Sequence, residues 1–173
     1  MEFRQAMTQT LAKMMQEDEK ICILDADLAK PNGTTPLYEQ FPNRCFDVGI
    51  AEANMIGIAA GLSAYGYKPI AFTFAPFATR RVCDQIAVSV AYAKQNVKIV
   101  GTDPGIAAEL NGGTHMSFED VAVLRSIPNM IIYDAVDDIQ LSQAIEQIMK
   151  LDTPVYILSL IHISEPTRQA EIS

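Results

Sequence analysis

Residues 47–62 read Asp-Val-Gly-Ile-Ala-Glu-Ala-Asn-Met-Ile-Gly-Ile-Ala-Ala-Gly-Leu. Small residues recur at helical spacing from Ala53 to Gly61, and they predict a helix whose backbone can approach a neighbour closely. Glu52 lies near the start of that helix, among apolar residues. Because loss of water disfavours a carboxylate, we expect Glu52 to stay protonated and to donate a hydrogen bond at neutral pH. The alternative is an ordinary first-turn Glu that faces solvent and the helix dipole.

The composition bounds the class of protein. The chain has 173 residues, of which 49% are hydrophobic and 20% charged, as expected of one globular domain with a buried core. The net charge of −8 argues against nucleic acid or an anionic membrane as the main partner. Cys22, Cys45 and Cys83 are odd in number and widely spaced, which favours reduced thiols in a cytoplasmic protein over a metal site. We expect neither a signal peptide nor a membrane span, since no apolar run reaches ~18 residues.

Helical and strand-like segments alternate along the chain. Besides the helix that begins near Glu52, helices are predicted at about 2–17, 76–94, 117–126 and 137–150. Strands are predicted at 20–24, 45–48, 69–74, 97–101, 130–133 and from 155 onward. Most of these strands are too apolar to have a face in water. The predicted fold is therefore α/β, a parallel sheet with helices on both faces.

Ligands of such sheets bind at the loops that follow the carboxyl ends of the strands. Four segments of distinctive sequence fall there: Asp25-Ala-Asp-Leu28, Asp47-Val-Gly-Ile-Ala-Glu52, Thr73-Phe-Ala-Pro-Phe77 and Asn111-Gly-Gly-Thr-His115. In this order and spacing they resemble the pyrimidine-binding domain of the transketolase family, over about residues 1–157. The chain is most similar to short bacterial subunits in which transketolase is split into two polypeptides. A start at Met1, directly before the first helix, is expected of such a subunit.

The resemblance implies thiamine diphosphate as the cofactor and transfer of a two-carbon ketol unit between sugar phosphates. Glu52 matches the family residue that hydrogen-bonds ring nitrogen N1′ of the aminopyrimidine and assists proton removal at the cofactor. Phe77 matches the aromatic residue that stacks on this ring, and Phe74 borders it. Asp27 matches a residue of an acidic loop near the cofactor. From the residues alone, the two Phe side chains are equally two core aromatics, and Asp27 is a turn residue.

The resemblance also implies substrate contacts. His115 matches a residue that contacts the hydroxyls of the donor sugar and assists proton transfer, although a lone His is more often structural. Asn111 stands where many transketolases have Asp, so a hydrogen-bond acceptor is kept and a charge is lost. Arg80 stands where the family often has an aromatic residue. With Arg81 it is either a source of positive charge for a substrate phosphate or part of a solvated helix face.

The diphosphate half of the family's cofactor site needs a Gly-Asp-Gly…Asn run that binds Mg²⁺, and no Gly-Asp dipeptide occurs in this chain. We therefore expect no metal ligands here. Mg²⁺ and the diphosphate are expected on a separate N-terminal, diphosphate-binding subunit, without which this chain is inactive. Self-association is also expected.

Other enzymes share this domain plan. The alternatives are a fragment of 1-deoxyxylulose-5-phosphate synthase and a 2-oxoacid dehydrogenase E1 beta-type subunit. Met1 favours a subunit over a fragment. An alternative of another class is a non-catalytic assembly or regulatory subunit, against which the presence of Glu52 argues.

The last segment, residues 158–173, departs from the family pattern. Its residues 158–168 match, codon for codon, a translation of the adaptor used in transposase-based sequencing libraries. We expect this segment to be an artefact rather than a domain, with the pyrimidine-binding domain ending at Ile157. His162, Glu165 and Arg168 then carry no functional weight. The alternative is a genuine strand followed by a polar tail.

Overall fold

The computed structural model describes residues 3–159. Its strands are β1 Ile21–Asp25, β2 Cys45–Asp47, β3 Lys68–Phe74, β4 Lys98–Thr102, β5 Ile131–Asp134 and β6 Val155–Ser159. They form one sheet in the order β2-β1-β3-β4-β6-β5, and every neighbouring pair is parallel. The predicted strands are confirmed, with boundaries that shift by one or two residues.

Helices cover both faces of this sheet. They are α1 Phe3–Glu17, α2 Ala29–Asn32, α3 Thr35–Gln40, α4 Glu52–Ala64, α5 Ala75–Ala78, α6 Cys83–Gln85, α7 Asp120–Arg125 and α8 Asp138–Ile148. Successive residues of a strand point to opposite faces, so Cys22 of β1 packs in the core beneath α4 and Ile23 packs in the core beneath α1 and α8. This arrangement confirms the predicted α/β fold.

The predicted continuous helix over 76–94 is wrong. After α5 the chain forms a 3₁₀ turn at Arg80–Val82, the single turn α6, and a π-helix at Ile86–Tyr92. The break is at Thr79, which has φ −127° and ψ −86°. Its hydroxyl donates to the carbonyl of Ala75 at 2.7 Å, a local bond that competes with a regular helix.

Two other predicted segments also differ. The helix expected over 117–126 begins only at Asp120, and Ser117 does not cap it. The Ser117 carbonyl instead accepts from the amide of Gly105 at 2.8 Å and closes the loop between β4 and α7. The loop expected over 25–35 contains α2, and the following α3, which the sequence did not predict, has Pro in its first turn, where Pro is favoured.

The strand order locates the point where ligands of such sheets bind. From β1 the chain passes to β2 on one side, and after α4 it returns to β3 on the other side. A crevice therefore opens between the carboxyl ends of β1 and β3, the switch point of the sheet. The segments that follow Asp25, Asp47 and Phe74 all meet there.

The predicted artefact falls almost wholly outside the described residues. Leu158 and Ser159 continue β6 and pair with Gly101 and Thr102 of β4. Residues 160–173 are not described, so the origin of the segment stays a prediction. Within residues 3–159, no helix has the length and apolar character needed to cross a membrane.

Candidate active site

A single carboxylate joins the loops that follow β1 and β2. Asp47 Oδ1 accepts from the amide of Asp27 at 3.0 Å and from the amide of Gly49 at 2.8 Å. Asp27 has φ +59° and Gly49 has φ +72°, backbone conformations that Asp tolerates and Gly favours. These bonds fix the chain directly before α4, so they position Glu52 at the first turn of that helix.

Glu52 is buried, with 4% of its surface exposed. The alternative of a first-turn Glu facing solvent is therefore wrong. Its Oε1 accepts from Nη1 of Arg81 at 2.5 Å, an ion pair that sequence reasoning did not foresee. The small residues of α4 do not cause this burial, because Gly57 and Gly61 lie on the exposed face, and a β-carbon added at either would meet no atom of another element within 4 Å. The burial comes from the loops around the helix start.

Three rings surround the same space. The Phe77 ring lies 5.0 Å from the His115 ring and 6.1 Å from the Phe74 ring, centre to centre, in tilted or edge-on orientations. Such separations are favourable for aromatic pairs. His115 is presented by a turn in which Gly112 has φ +78° and its carbonyl accepts from the His115 amide at 3.0 Å. The hydroxyl of Thr114 lies 2.9 Å from His115 Nδ1.

These side chains line one pocket of about 290 Å³ at the switch point of the sheet. Five predicted site residues meet there, namely Asp27, Glu52, Phe74, Phe77 and His115. Four further residues complete the lining, namely Ala26, Leu28, Ile50 and Arg81. The pocket thus combines a buried carboxyl group, a flat aromatic face, an imidazole and a guanidinium.

Two predicted site residues lie outside this pocket. Asn111 is exposed in a 3₁₀ turn at Glu109–Asn111. Arg80 pairs with Glu119 at 2.6 Å and donates to the carbonyl of Thr114 at 3.0 Å. Its contacts therefore hold the loop that carries His115, and substrate contacts by Arg80 and Asn111 stay predictions.

Sequence reasoning missed a buried polar network below the pocket. Asp25 has no exposed surface and accepts from Asn32 at 2.8 Å, from Thr34 at 2.7 Å and from Tyr38 at 3.3 Å. Thr102 of β4 donates to Asn32 in turn, at 3.0 Å. Burial raises the pKa of Asp25 to about 6 in spite of these hydrogen bonds. The network fixes the segment that carries Asp27 against the centre of the sheet.

We expect the raised pKa of Asp25 to make the stability of the chain depend on pH. Between pH of about 4 and about 6, the folded chain holds a proton at Asp25 that the unfolded chain has lost. The free energy of unfolding should therefore fall across this interval as pH rises, by about 2 to 3 kcal/mol from this group. Urea unfolding at several pH values should show the decrease in the wild type and a smaller one in Asp25→Asn.

The matched control is Asp27→Asn, which makes the same change at an exposed residue that lines the pocket. It should keep the wild-type dependence on pH. If the free energy of unfolding depends on pH equally in Asp25→Asn and in the wild type, Asp25 is not the group responsible.

Comparisons with known proteins identify the family. The family model for the transketolase pyrimidine-binding domain matches residues 1–160. The chain is 54% identical to the 6-deoxy-6-sulfo-D-fructose transketolase subunit SqwH of Clostridium sp. (strain MSTE9), over 89% of this chain and 48% of that protein. It is 39% identical to a putative transketolase C-terminal section of Methanocaldococcus jannaschii, over 89% of this chain and 49% of that protein.

A solved structure is also similar. It is described as a split gene transketolase, an inactive beta4 tetramer, and it is 39% identical with a TM-score of 0.82, over 93% of this chain and 52% of that chain. The present chain thus spans about half the length of the curated relatives that it matches. By the family match over most of its length, the chain belongs to the transketolase family, as its pyrimidine-binding domain.

Proposed function

We propose that this chain is the pyrimidine-binding subunit of a split transketolase. With a separate diphosphate-binding subunit it transfers a two-carbon ketol unit between sugar phosphates. The observation that carries the proposal is the meeting of Glu52, Phe77 and His115 in one pocket at the switch point of the sheet. A non-catalytic subunit has no need of a buried carboxyl group in that position.

The residues of the pocket fit the aminopyrimidine half of thiamine diphosphate. A flat heteroaromatic ring suits the face of Phe77, and the buried carboxyl group of Glu52 suits a ring nitrogen that needs a hydrogen-bond partner. The residues do not fit the other half. Within residues 3–159, no group of three or more His, Cys, Asp or Glu side chains is arranged to hold a metal ion. We therefore assign Mg²⁺ and the diphosphate to the partner subunit.

Each pocket residue then has a stated task. Thiamine diphosphate, when bound, supplies the electron sink that ketol transfer requires. Phe77 orients the pyrimidine ring by stacking, and Phe74 and Ile50 keep water from it. Glu52 is assigned to hydrogen-bond ring nitrogen N1′ and to relay a proton there, and in the free chain its carboxyl group pairs with Arg81. Asp27 borders the cofactor through the turn that Asp47 fixes.

His115 is assigned to the donor sugar. Its ring lies at the edge of the aromatic group, on a loop that Arg80 holds through Thr114. An imidazole there can hydrogen-bond a sugar hydroxyl and move a proton during transfer. Asn111, on the same loop, is assigned to a substrate hydroxyl as a neutral hydrogen-bonding group.

A second candidate substrate class follows from one comparison. The relative that is 54% identical is named for a sulfonated ketose, 6-deoxy-6-sulfo-D-fructose. A sulfonate and a phosphate are both tetrahedral oxyanions, and they differ in charge near neutral pH. Donor assays with fructose 6-phosphate and with 6-deoxy-6-sulfofructose, at equal concentration, decide between them by kcat/KM.

The partner subunit is testable through cofactor affinity. The chain alone should bind thiamine diphosphate with Mg²⁺ at least ~10²-fold more weakly than the complex with the diphosphate-binding subunit does, because the isolated chain offers only the contacts to the pyrimidine ring. Calorimetry with and without that subunit measures the difference. Tight, Mg²⁺-dependent binding by the isolated chain would refute the two-subunit proposal.

Assembly and location complete the proposal. We assign the complex to the cytoplasm, where the free thiols of Cys22, Cys45 and Cys83 stay reduced. We also propose that the chain self-associates. Light scattering of the chain with and without its partner measures both kinds of assembly, and a strictly monomeric chain would contradict self-association.

A further inference from the structure

The planar guanidinium group of Arg81 makes two contacts in the pocket. Its guanidinium carbon lies 3.7 Å from the centre of the Phe77 ring. Its Nη1 donates to Oε1 of Glu52 at 2.5 Å. The first contact is a cation–π contact over the face of the ring, and the second is a charge-assisted hydrogen bond. Both partners, Phe77 and Glu52, are residues to which the proposed function assigns the pyrimidine ring of the cofactor.

A guanidinium and an aminopyrimidine ring offer the same chemistry to these two partners. Both groups are planar, both carry nitrogen atoms along an edge, and both stack on an aromatic face. A stacked planar group occupies the face of Phe77 at van der Waals distance, so a second one does not fit between it and the first. The guanidinium and the ring therefore exclude each other.

We propose that Arg81 occupies the position of the aminopyrimidine ring in the free chain and has to leave before the cofactor binds. The inference rests on the proposed function and adds to it an internal competitor for the cofactor. Thr79 is the local cause, because the helix breaks there and the following 3₁₀ turn brings Arg81, rather than Arg80, to the pocket.

The exposure of Arg81 and of Glu52 explains how the pyrimidine ring can replace the guanidinium. The side chain of Arg81 is 43% exposed, so water can solvate its guanidinium once it swings outward. The side chain of Glu52 is 5% exposed and has little access to water. A buried carboxylate without a partner is strongly unfavourable. Arg81 thus keeps Glu52 paired in the free chain, and the pyrimidine ring takes over that role.

This competition has a measurable consequence. If only a fraction of the molecules has Arg81 withdrawn, the apparent affinity for the cofactor is lowered by that fraction. Removing the guanidinium should therefore tighten cofactor binding, whereas removing a residue that holds the cofactor would weaken it. The direction of the change separates a competitor from a ligand.

The test compares variants in the complex with the diphosphate-binding subunit. Calorimetry with thiamine diphosphate and Mg²⁺ should give a Kd on the order of tenfold lower for Arg81→Met than for the wild type. Arg81→Lys should give a smaller decrease, since Lys keeps the charge but cannot stack as a plane. The control is Arg44→Met, which removes another Arg that lies over a Phe ring, that of Phe41, outside the pocket. It should leave the Kd unchanged.

Each result has a distinct meaning. If the wild-type complex binds the cofactor and Arg81→Met has the same Kd, Arg81 is not a competitor. That result would leave the proposed function standing. A higher Kd in Arg81→Met would overturn the competitor role too, and would make Arg81 a ligand of the cofactor. Failure of the wild-type complex to bind at all would refute the proposed function instead. If Arg81→Met does not fold, Arg81→Lys decides by the same criterion.

Discussion

Glu52→Gln, in the complex with the diphosphate-binding subunit, should slow hydrogen–deuterium exchange at C2 of thiamine diphosphate by ~10²–10⁴-fold. Glu52 is buried, and its side chain lies in the pocket between the first turn of α4 and the turn that carries Arg81. Gln keeps the size of the side chain and its ability to hydrogen-bond. It cannot hold and release a proton, so the effect isolates the acid–base role of the carboxyl group. Quenched-flow NMR of the cofactor measures the rate.

Two variants separate this role from general damage to the site. Glu119→Gln makes the same change in an exposed carboxylate that pairs with Arg80, and it should leave the exchange rate near that of the wild type. His115→Ala should lower kcat/KM for the donor while leaving exchange roughly intact, since His115 is assigned to the substrate. Exchange at the wild-type rate in Glu52→Gln would remove Glu52 from the proton relay.

The centre of the sheet was predictable because β1, β3, β4 and β6 are buried on both faces. A strand such as Ile21–Asp25 is buried on both faces, so it has no alternation of polar and apolar residues. Its short apolar run alone predicts a strand. The pocket was predictable for a related reason. In a parallel sheet the carboxyl ends lie at one edge, so distinctive residues after β1, β2 and β3 had to come together.

The identity of the basic residue in the pocket was not predictable in the same way. Arg80 and Arg81 are neighbours, and a continuous helix over 76–94 gives no reason to choose between them. The choice is made by the break at Thr79, where a hydroxyl bonds to the carbonyl of Ala75. Such a bond depends on local geometry that residue type alone does not specify.

The prediction that Glu52 is buried was correct, but the reason given for it was wrong. The small residues of α4 were expected to exclude water from it, yet Gly57 and Gly61 lie on the exposed face. The network of Asp25 was missed because its members are distant in sequence. Asn32 and Thr102 are 70 residues apart, and only the pairing of the strands brings them together.

Gly101→Ala should destabilise the chain by about 2 to 3 kcal/mol, because the site has no room for a methyl group. A β-carbon at Gly101 would lie 2.8 Å and 2.9 Å from two ring carbons of Tyr156, and closer still to its hydroxyl oxygen. Tyr156 is fully buried in β6, so its ring cannot move into solvent to relieve the clash. Urea unfolding at constant pH measures the change in free energy.

The matched controls lie on α4, where Gly57→Ala and Gly61→Ala add the same methyl group at positions with no atom of another element within 4 Å. Helix propensity should make each of these neutral or stabilising by up to ~1 kcal/mol. Tyr156→Phe should recover part of the loss in Gly101→Ala, since it removes the nearest atom. Equal stability of Gly101→Ala and the wild type would show that Tyr156 moves freely. Gly101 pairs with Thr73, which directly precedes Phe74 of the pocket. Because Gly101 has no side chain, β4 can pair with β3 at this point while the bulky Tyr156 ring packs beside it.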